Sequence, residues 1–193
     1  MSETVPSKTK PVRADAQRNR EHILDVAEEY FAEHGVNGSL DALAKQARVG
    51  TGTLYRHFPT REALLAALLG ARDNALVVRR DSIRSESVDS ADALEHWLGA
   101  LSDWAGAFDG LPEPLKAATT GRSPLTVTCE GFITDTAAFL EAAQNDGRAR
   151  QNVRARDLFL TALAISWASG AAMADERSAE ALTALTRAGW ETP

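Results

Sequence analysis

Between Gly35 and Pro59 the chain is broken so closely that only two short helices fit. Gly35-Val36-Asn37-Gly38 reads as a turn, and Ser39 is a good N-cap for a helix with Leu40, Leu43, Ala44 and Ala47 on one face. A second break falls at Val49-Gly50. Thr51 can cap the next, very short helix, which holds Leu54 and Phe58 inward before Pro59 closes it. Upstream, Asp15 can cap a longer helix with Ile23, Leu24, Ala27, Tyr30 and Phe31 at i, i+1, i+4, i+7 and i+8, ended by Gly35. Two short helices across a tight turn, braced by a longer one, are the parts of a helix-turn-helix.

The rest of the chain also favours helix. The sequence holds 35 Ala and 21 Leu against 10 Val and 4 Ile, and it is β-branched residues that strands prefer. Thr60 caps a fourth helix carrying Glu62 and the stripe Ala63, Leu64, Ala67, Leu68, Ala71, with the polar stretch Ser82 to Ser90 as the best linker candidate. Leu94, Trp97, Leu98, Leu101, Trp104, Ala105 and Phe108 then repeat at helical spacing. A break at Asp109 to Pro114 leads to a short helical piece ending near Thr120. Cys129 to Leu140 mark another amphipathic helix, closed by Asn145-Asp146-Gly147, and the last two helices run from Arg154 to about Ala174 and from Ser178 to about Ala188. The fold class expected is all-α.

In the third helix the chemistry is concentrated. A recognition helix must lie close in the major groove, so its outer face needs small residues for approach and a few donors for bases and phosphates. Thr51 and Thr53 offer hydroxyls, Gly52 permits close backbone approach, and Tyr55 and His57 can reach phosphate oxygens. Arg56 is the long, forked donor of this helix and so the candidate reader of a guanine edge. Ser39, Arg61 and the turn residue Arg48 would meet the DNA backbone. Plainer alternatives exist: Tyr55 as a packed aromatic with its hydroxyl satisfied locally, His57 as a cation at a helix C-terminus.

The pattern Gly35-x-x-Gly38-Ser39-Leu40-x-x-Leu43-Ala44-x-x-Ala47-x-Val49-x-x-Gly52-Thr53-Leu54-Tyr55-x-His57-Phe58-x-x-Arg61-Glu62-x-Leu64 resembles the N-terminal signature of the TetR family of bacterial transcriptional regulators. Arg48 departs from it, since the family commonly has a small residue there, often Gly. More weakly, Trp104-Ala-x-x-Phe108 and Asp157-Leu-Phe-Leu-x-Ala-Leu resemble the branch with an SbtR-like C-terminal domain. Residues 1–14, with Pro6, Lys8, Lys10, Pro11 and Arg13, read as a flexible basic arm or an ordinary frayed terminus. The resemblance implies an all-helical homodimer, with a DNA-binding domain over 15–61 and a helical ligand-binding and dimerisation domain over 62–193. It gives DNA contacts to Ser39, Thr51, Gly52, Thr53, Tyr55, Arg56, His57 and Arg61.

Trp97, Trp104, Phe108, Phe132, Phe139, Trp167 and Met173 supply large apolar surfaces, with Cys129, His96 and Thr136 as polar contacts. They fill a core or line a pocket for a small, largely apolar effector. Small residues at Ala162, Ser166, Ser169, Gly170, Ala171 and Ala172 suit close packing in a core or across a two-fold interface. The function expected is a DNA-binding regulator, most simply a repressor released by its effector. An activator on the same fold, a small helical enzyme and a purely architectural or protein-binding module are the alternatives. The enzyme fares badly, because His22, His34, His57 and His96 are scattered and no catalytic motif appears, so no cofactor or metal is expected.

One cysteine excludes an internal disulfide, and Met1 to Pro11 lacks the apolar core of a secretion signal, which points to the cytoplasm. Leu158 to Ala174 runs 17 residues without a charge but is short and polar for a membrane span, so no membrane partner is expected. The net charge of −6 looks adverse to a nucleic-acid partner. Yet residues 1–61 hold 9 basic and 8 acidic side chains, for +1, while residues 62–193 hold 12 and 19, for −7. Lys45, Arg48, Arg56 and Arg61 lie in or beside the two short helices, where Asp41 is the acid, so contact is limited to one basic face.

Overall fold

The computed structural model describes residues 10–118 and 123–193. Among them are α1 (Lys10–His34), α2 (Leu40–Gln46), α3 (Thr51–His57), α4 (Arg61–Glu86), α5 (Ser90–Ala105), α6 (Pro112–Ala118), α7 (Leu125–Asn145), α8 (Ala155–Ser169) and α9 (Ser178–Trp190). No strand is present among the described residues; a single bridge pairs Ala149 with Glu191.

Three boundaries differ from the sequence reading. Helix α1 begins at Lys10, so residues 10–14 are helical and Asp15 lies inside the helix beside Arg18 instead of capping it; residues 1–9 of the expected arm lie outside the described residues. The stretch Ser82 to Ser90 is no linker. Helix α4 continues to Glu86 because buried Ile83 extends its apolar stripe, and only Ser87 to Asp89 separate it from α5. Helix α8 stops at Ser169, with Gly170 as its C-cap.

The small N-terminal unit closes around Ile23, Ala27, Phe31, Leu43 and Leu54, all fully buried. Gly38 is required there, because a Cβ would sit 2.6 Å from Cε1 of Tyr30. Ser39 caps α2 by accepting from Ala42 N at 3.4 Å, and Thr60 caps α4 by accepting from Ala63 N at 3.1 Å. Helix α2 ends in a Schellman turn, with Arg48 N donating to Lys45 O (3.1 Å) and Val49 N to Ala44 O (3.0 Å). That turn puts Arg48 at φ 54°, in the left-handed region.

Helix α4, 26 residues and so about 39 Å long, runs from this unit into the C-terminal body. Leu64, Leu65, Leu69, Leu76 and Ile83 form its buried stripe, Arg72 reaches back to Glu28 of α1, and Arg80 forks onto Asp135 of α7. Helix α5 lies between α7 and α8 at the centre of the body and buries Leu94, Trp97, Leu98, Leu101 and Trp104. Trp97 stacks on Phe139 (centroids 5.4 Å apart) and meets Phe132 edge-on, as does Trp104 at 4.9 Å. Truncating an aromatic ring packed like this costs about 3–5 kcal/mol.

Candidate nucleic-acid interface

Helix α3 turns Leu54 inward, fully buried, with Phe58 behind it, and presents the opposite face to solvent. Thr51, Gly52, Tyr55 and Arg56 are exposed on that face, Thr53 and His57 are half-buried at its edges, and Ser39, Lys45 and Arg48 are exposed on α2 and its turn. A Cβ built on Gly52 would meet nothing within 4 Å. The fold itself therefore has no steric need of a glycine there, although glycine inside a helix costs roughly 0.5–1 kcal/mol relative to alanine. The glycine leaves this part of the exposed face of α3 open to close approach.

Gly50, in extended backbone, is the N-cap of α3, with no side-chain cap. This corrects the reading of Thr51 as the cap: Thr51 is the first helical residue, and its hydroxyl makes no hydrogen bond among the described residues. Tyr55 is 43% exposed, and its hydroxyl likewise has no partner among the described residues, which disfavours the packed-aromatic alternative. Lys45, Arg48 and Arg56 form no ion pair among the described residues. The exposed face thus combines small groups, free hydroxyls and unpaired cations.

Arg61 is different. Its Nη1 donates to the carbonyls of Val36 and, at 2.7 Å, Gly38, so the guanidinium is turned onto the α1–α2 turn. It acts first as a clamp on the reading unit. His22 does similar work at the next turn: its Nε2 lies 3.0 Å from the Ala47 carbonyl, so that nitrogen carries the proton and donates. Arg20 covers the back of Phe58, 5.2 Å from the ring centroid.

The α1–α2 turn is also tied to the body, through residues that sequence reasoning passed over. Val36 N donates to the carbonyl of Asp109, in the α5–α6 loop, at 2.8 Å. Gly35 (φ 67°) and Gly110 (φ 78°) allow the two loops to meet, since a Cβ on Gly35 would lie 3.1 Å from that same carbonyl. Phe108 of this loop packs edge-on against Phe31 of α1. The Asp109-Gly110 dipeptide signalled a turn, but not where the turn docks.

The aromatic residues considered for an effector site separate. Trp97, Trp104 and Phe132 form one packed cluster, where Trp97 Nε1 donates to Thr136 Oγ1 (2.9 Å), which in turn donates to Phe132 O (2.7 Å). Cys129 is buried beside them, and burial pushes its thiol up to about 11. Phe108 belongs to the joint with α1, and Trp167 is 55% exposed on α8. Sequence reasoning missed Asp73, which accepts from Trp104 Nε1 at 3.1 Å and whose carboxyl is pushed up to about 6 by burial, against the pull of hydrogen bonds from Trp104 and Thr128. Its place four residues after Leu69 and three before Leu76 put it on the buried stripe of α4, which was the signal available.

A short, capped recognition helix with an open face, mounted on a larger helical body, defines a DNA-binding helix-turn-helix regulator. Residues 23–68 match the family described as bacterial regulatory proteins, tetR family, and residues 89–192 match the C-terminal domain of SbtR-like transcriptional regulators. The chain belongs to the TetR family, whose members are transcriptional regulators and not enzymes. It is similar to the HTH-type transcriptional regulator UidR of Escherichia coli, with 30% identity over 128 residues, which is 61% of this chain and 64% of UidR. Among solved structures it resembles a TetR transcriptional regulator of Streptomyces coelicolor, with 32% identity, a TM-score of 0.58 and coverage of 89% of this chain and 98% of that one. It shares its fold with FadR of Bacillus subtilis, solved with stearoyl-CoA, at 17% identity, a TM-score of 0.61 and coverage of 88% and 98%. No helix among the described residues is long and apolar enough to cross a membrane.

Proposed function

We propose that this regulator is a repressor that binds a near-palindromic operator as a homodimer in the cytoplasm and leaves it when a small effector binds the body. The open outer face of α3 carries this reading: Thr51, Gly52, Tyr55 and Arg56 face outward beside Lys45 and Arg48, with no internal partner among the described residues for the cations. Arg56 reads a guanine edge, while Ser39, Arg48, Tyr55 and His57 hold the phosphates on either side. Arg61 contributes by fixing the turn in front of α2.

A dimer supplies the second half of the reading. Trp167 and Leu185, 55% and 71% exposed, lie on α8 and α9 together with exposed alanines, an apolar face that suits a second copy of the chain. Two recognition helices held about 34–36 Å apart then enter successive major grooves. The contact of Val36 with Asp109 gives the effector a route to the DNA. A ligand that favours another position of the α5–α6 loop tilts the reading unit and lowers affinity by misplacing one α3 against the other.

Electrophoretic mobility shifts on selected duplexes, repeated at rising salt, test the proposal. Binding should fall steeply with salt, with a logarithmic slope near −0.9 per phosphate neutralised, and should distinguish operator from random duplex. Binding indifferent to both would sink it.

A further inference from the structure

Helix α4 runs unbroken from the reading unit into the body, so the angle between the two parts is set where α1 and the α5–α6 loop close on it. Two consecutive residues of α4 grip in opposite directions there. Asp73 accepts from Trp104 Nε1 of α5 at 3.1 Å and from Thr128 of α7, which ties the helix to the body. Arg72 turns the other way: its Nη2 donates to Glu28 Oε1 of α1 at 3.1 Å, and its guanidinium lies over the ring of Phe108, 5.1 Å from the centroid. Successive residues point about 100° apart on a helix, which lets one turn of α4 hold both sides.

An exposed ion pair by itself contributes little. Arg72 does more, because it also covers the joint. Phe108, 3% exposed, takes the guanidinium on its face and meets Phe31 of α1 edge-on, with centroids 6.4 Å apart. Glu28 and Phe31 are three residues apart and so share a face of α1. Arg72 holds that face directly through Glu28 and indirectly through Phe108, whose next residue, Asp109, receives Val36 N on its carbonyl at 2.8 Å. A planar guanidinium can stack and pair at once, whereas an ammonium is a point charge on a flexible stem.

We infer that Arg72 is a positioning residue for DNA binding: it fixes the angle of the reading unit against the body, and with it the separation of half-sites that a dimer accepts. Operator geometry makes that angle matter. One extra base pair between half-sites moves the second by about 3.4 Å and turns it by about 34–36° around the duplex. A firmly held unit accepts one spacing, and a loosened unit accepts several. Arg72 acts through α1 and the Val36 turn, without touching DNA. The hold on the turn stands on contacts within one chain; only its consequence for half-site spacing rests on the dimeric repressor reading.

Two measurements on the full chain test this, with Arg72→Gln as the main variant and Arg72→Lys as the conservative one. Without DNA, hydrogen exchange at the Val36 amide should quicken about tenfold or more in Arg72→Gln, while the amides of Ala47 and Leu54, bonded within the reading unit, keep their rates. Unchanged exchange at Val36 overturns the proposal whatever happens on DNA. Equal quickening at all three amides marks a general loss of stability and overturns it too. With DNA, duplexes whose half-sites differ in spacing by one base pair are compared in mobility shifts. The unaltered chain should prefer one spacing by about tenfold, and Arg72→Gln should cut this below about threefold while binding a single half-site nearly as before. Arg72→Lys should fall between the two. A glutamine variant that keeps the full preference, or loses single half-site binding to the same extent, refutes the positioning role. An unaltered chain indifferent to spacing refutes the dimeric reading and the consequence for half-sites with it, whereas the Val36 amide decides the hold by itself.

Discussion

The arginines of the body and those of the reading unit are put to opposite uses. In the body Arg80 and Arg84 meet Asp135, Arg148 meets Asp89 and Glu191, Arg154 meets Asp157, and Arg187 gathers Asp92, Glu95 and Glu191. Glu191 above all holds Arg187 in its charged form, and Arg187 in return keeps the Glu191 carboxyl below its ordinary range. On α2, its turn and α3, by contrast, Lys45, Arg48 and Arg56 are exposed and meet no acid among the described residues. The difference explains how a chain of net charge −6 presents a face for DNA. Five body arginines, Arg80, Arg84, Arg148, Arg154 and Arg187, are held by body acids, whereas Lys45, Arg48 and Arg56 of the reading face stay available to phosphate and base.

The largest expected effect lies at the residue that blurs this division. Arg61 is a cation of the reading unit used internally, on two carbonyls. Arg61→Ala removes charge-assisted hydrogen bonds and leaves the carbonyls of Val36 and Gly38 without their donor, so the protein should lose about 2–3 kcal/mol of stability, measured by urea denaturation. Binding should weaken on all duplexes alike, because the turn before α2 loosens. Unchanged stability together with weakened binding would mean that Arg61 is instead a direct phosphate contact. Arg56→Ala should behave in the opposite sense. It should cost about 1–3 kcal/mol of operator binding at one base pair in a selected-oligonucleotide assay, while melting temperature and random-duplex binding stay nearly unchanged.

Arg48 sharpens the comparison, because fold and DNA pull it in different directions. At φ 54° a side chain costs about 1 kcal/mol, and Gly is the residue the Schellman turn favours. Part of that gain is lost to the larger conformational freedom of glycine in the unfolded chain. Arg48→Gly should therefore stabilise the protein by about 0.5 kcal/mol in urea titrations. The salt dependence of duplex binding should become shallower by about one unit of slope, as one cation leaves the interface. A stabilised variant with an unchanged slope would show that Arg48 does not touch the DNA.

Much of the reading unit was legible in the sequence because its signals are local. Ser39, Pro59 and Thr60 act within a few residues of themselves, and the caps at Ser39 and Thr60 stand where their chemistry put them. Thr51 misled for a local reason too: Gly50 fills the cap position and leaves Thr51 free. What was illegible depends on residues distant in sequence. Arg61 is bonded 25 and 23 positions away, and the Asp109 carbonyl reaches Val36 across the whole of α2 to α5. The aromatic set shows the same limit, since helical spacing places Trp97, Phe108 and Trp167 on apolar faces alike, whereas only tertiary packing makes one a core residue, one a joint and one an exposed residue of α8.

Asp73 is a partly buried body carboxylate held by Trp104 Nε1 and Thr128 instead of a guanidinium. Burial raises its carboxyl to about 6 from an ordinary 3.8, so the folded state prefers it protonated. The stability linked to that preference is complete below about pH 4 and is lost as the pH rises through about 6, which leaves an ionised, disfavoured carboxylate at neutral pH. Asparagine keeps an acceptor for Trp104 and cannot ionise. Asp73→Asn should thus be more stable than the unaltered chain by about 1 kcal/mol at pH 7.5, a figure already reduced for solvent screening of a half-exposed group. Denaturation across the pH range should show this gap closing toward pH 4. A gap that persists at pH 4 would trace the effect to packing and not to charge, and Asp73 would then be an ordinary member of the α4 stripe rather than a body acid left without its cation.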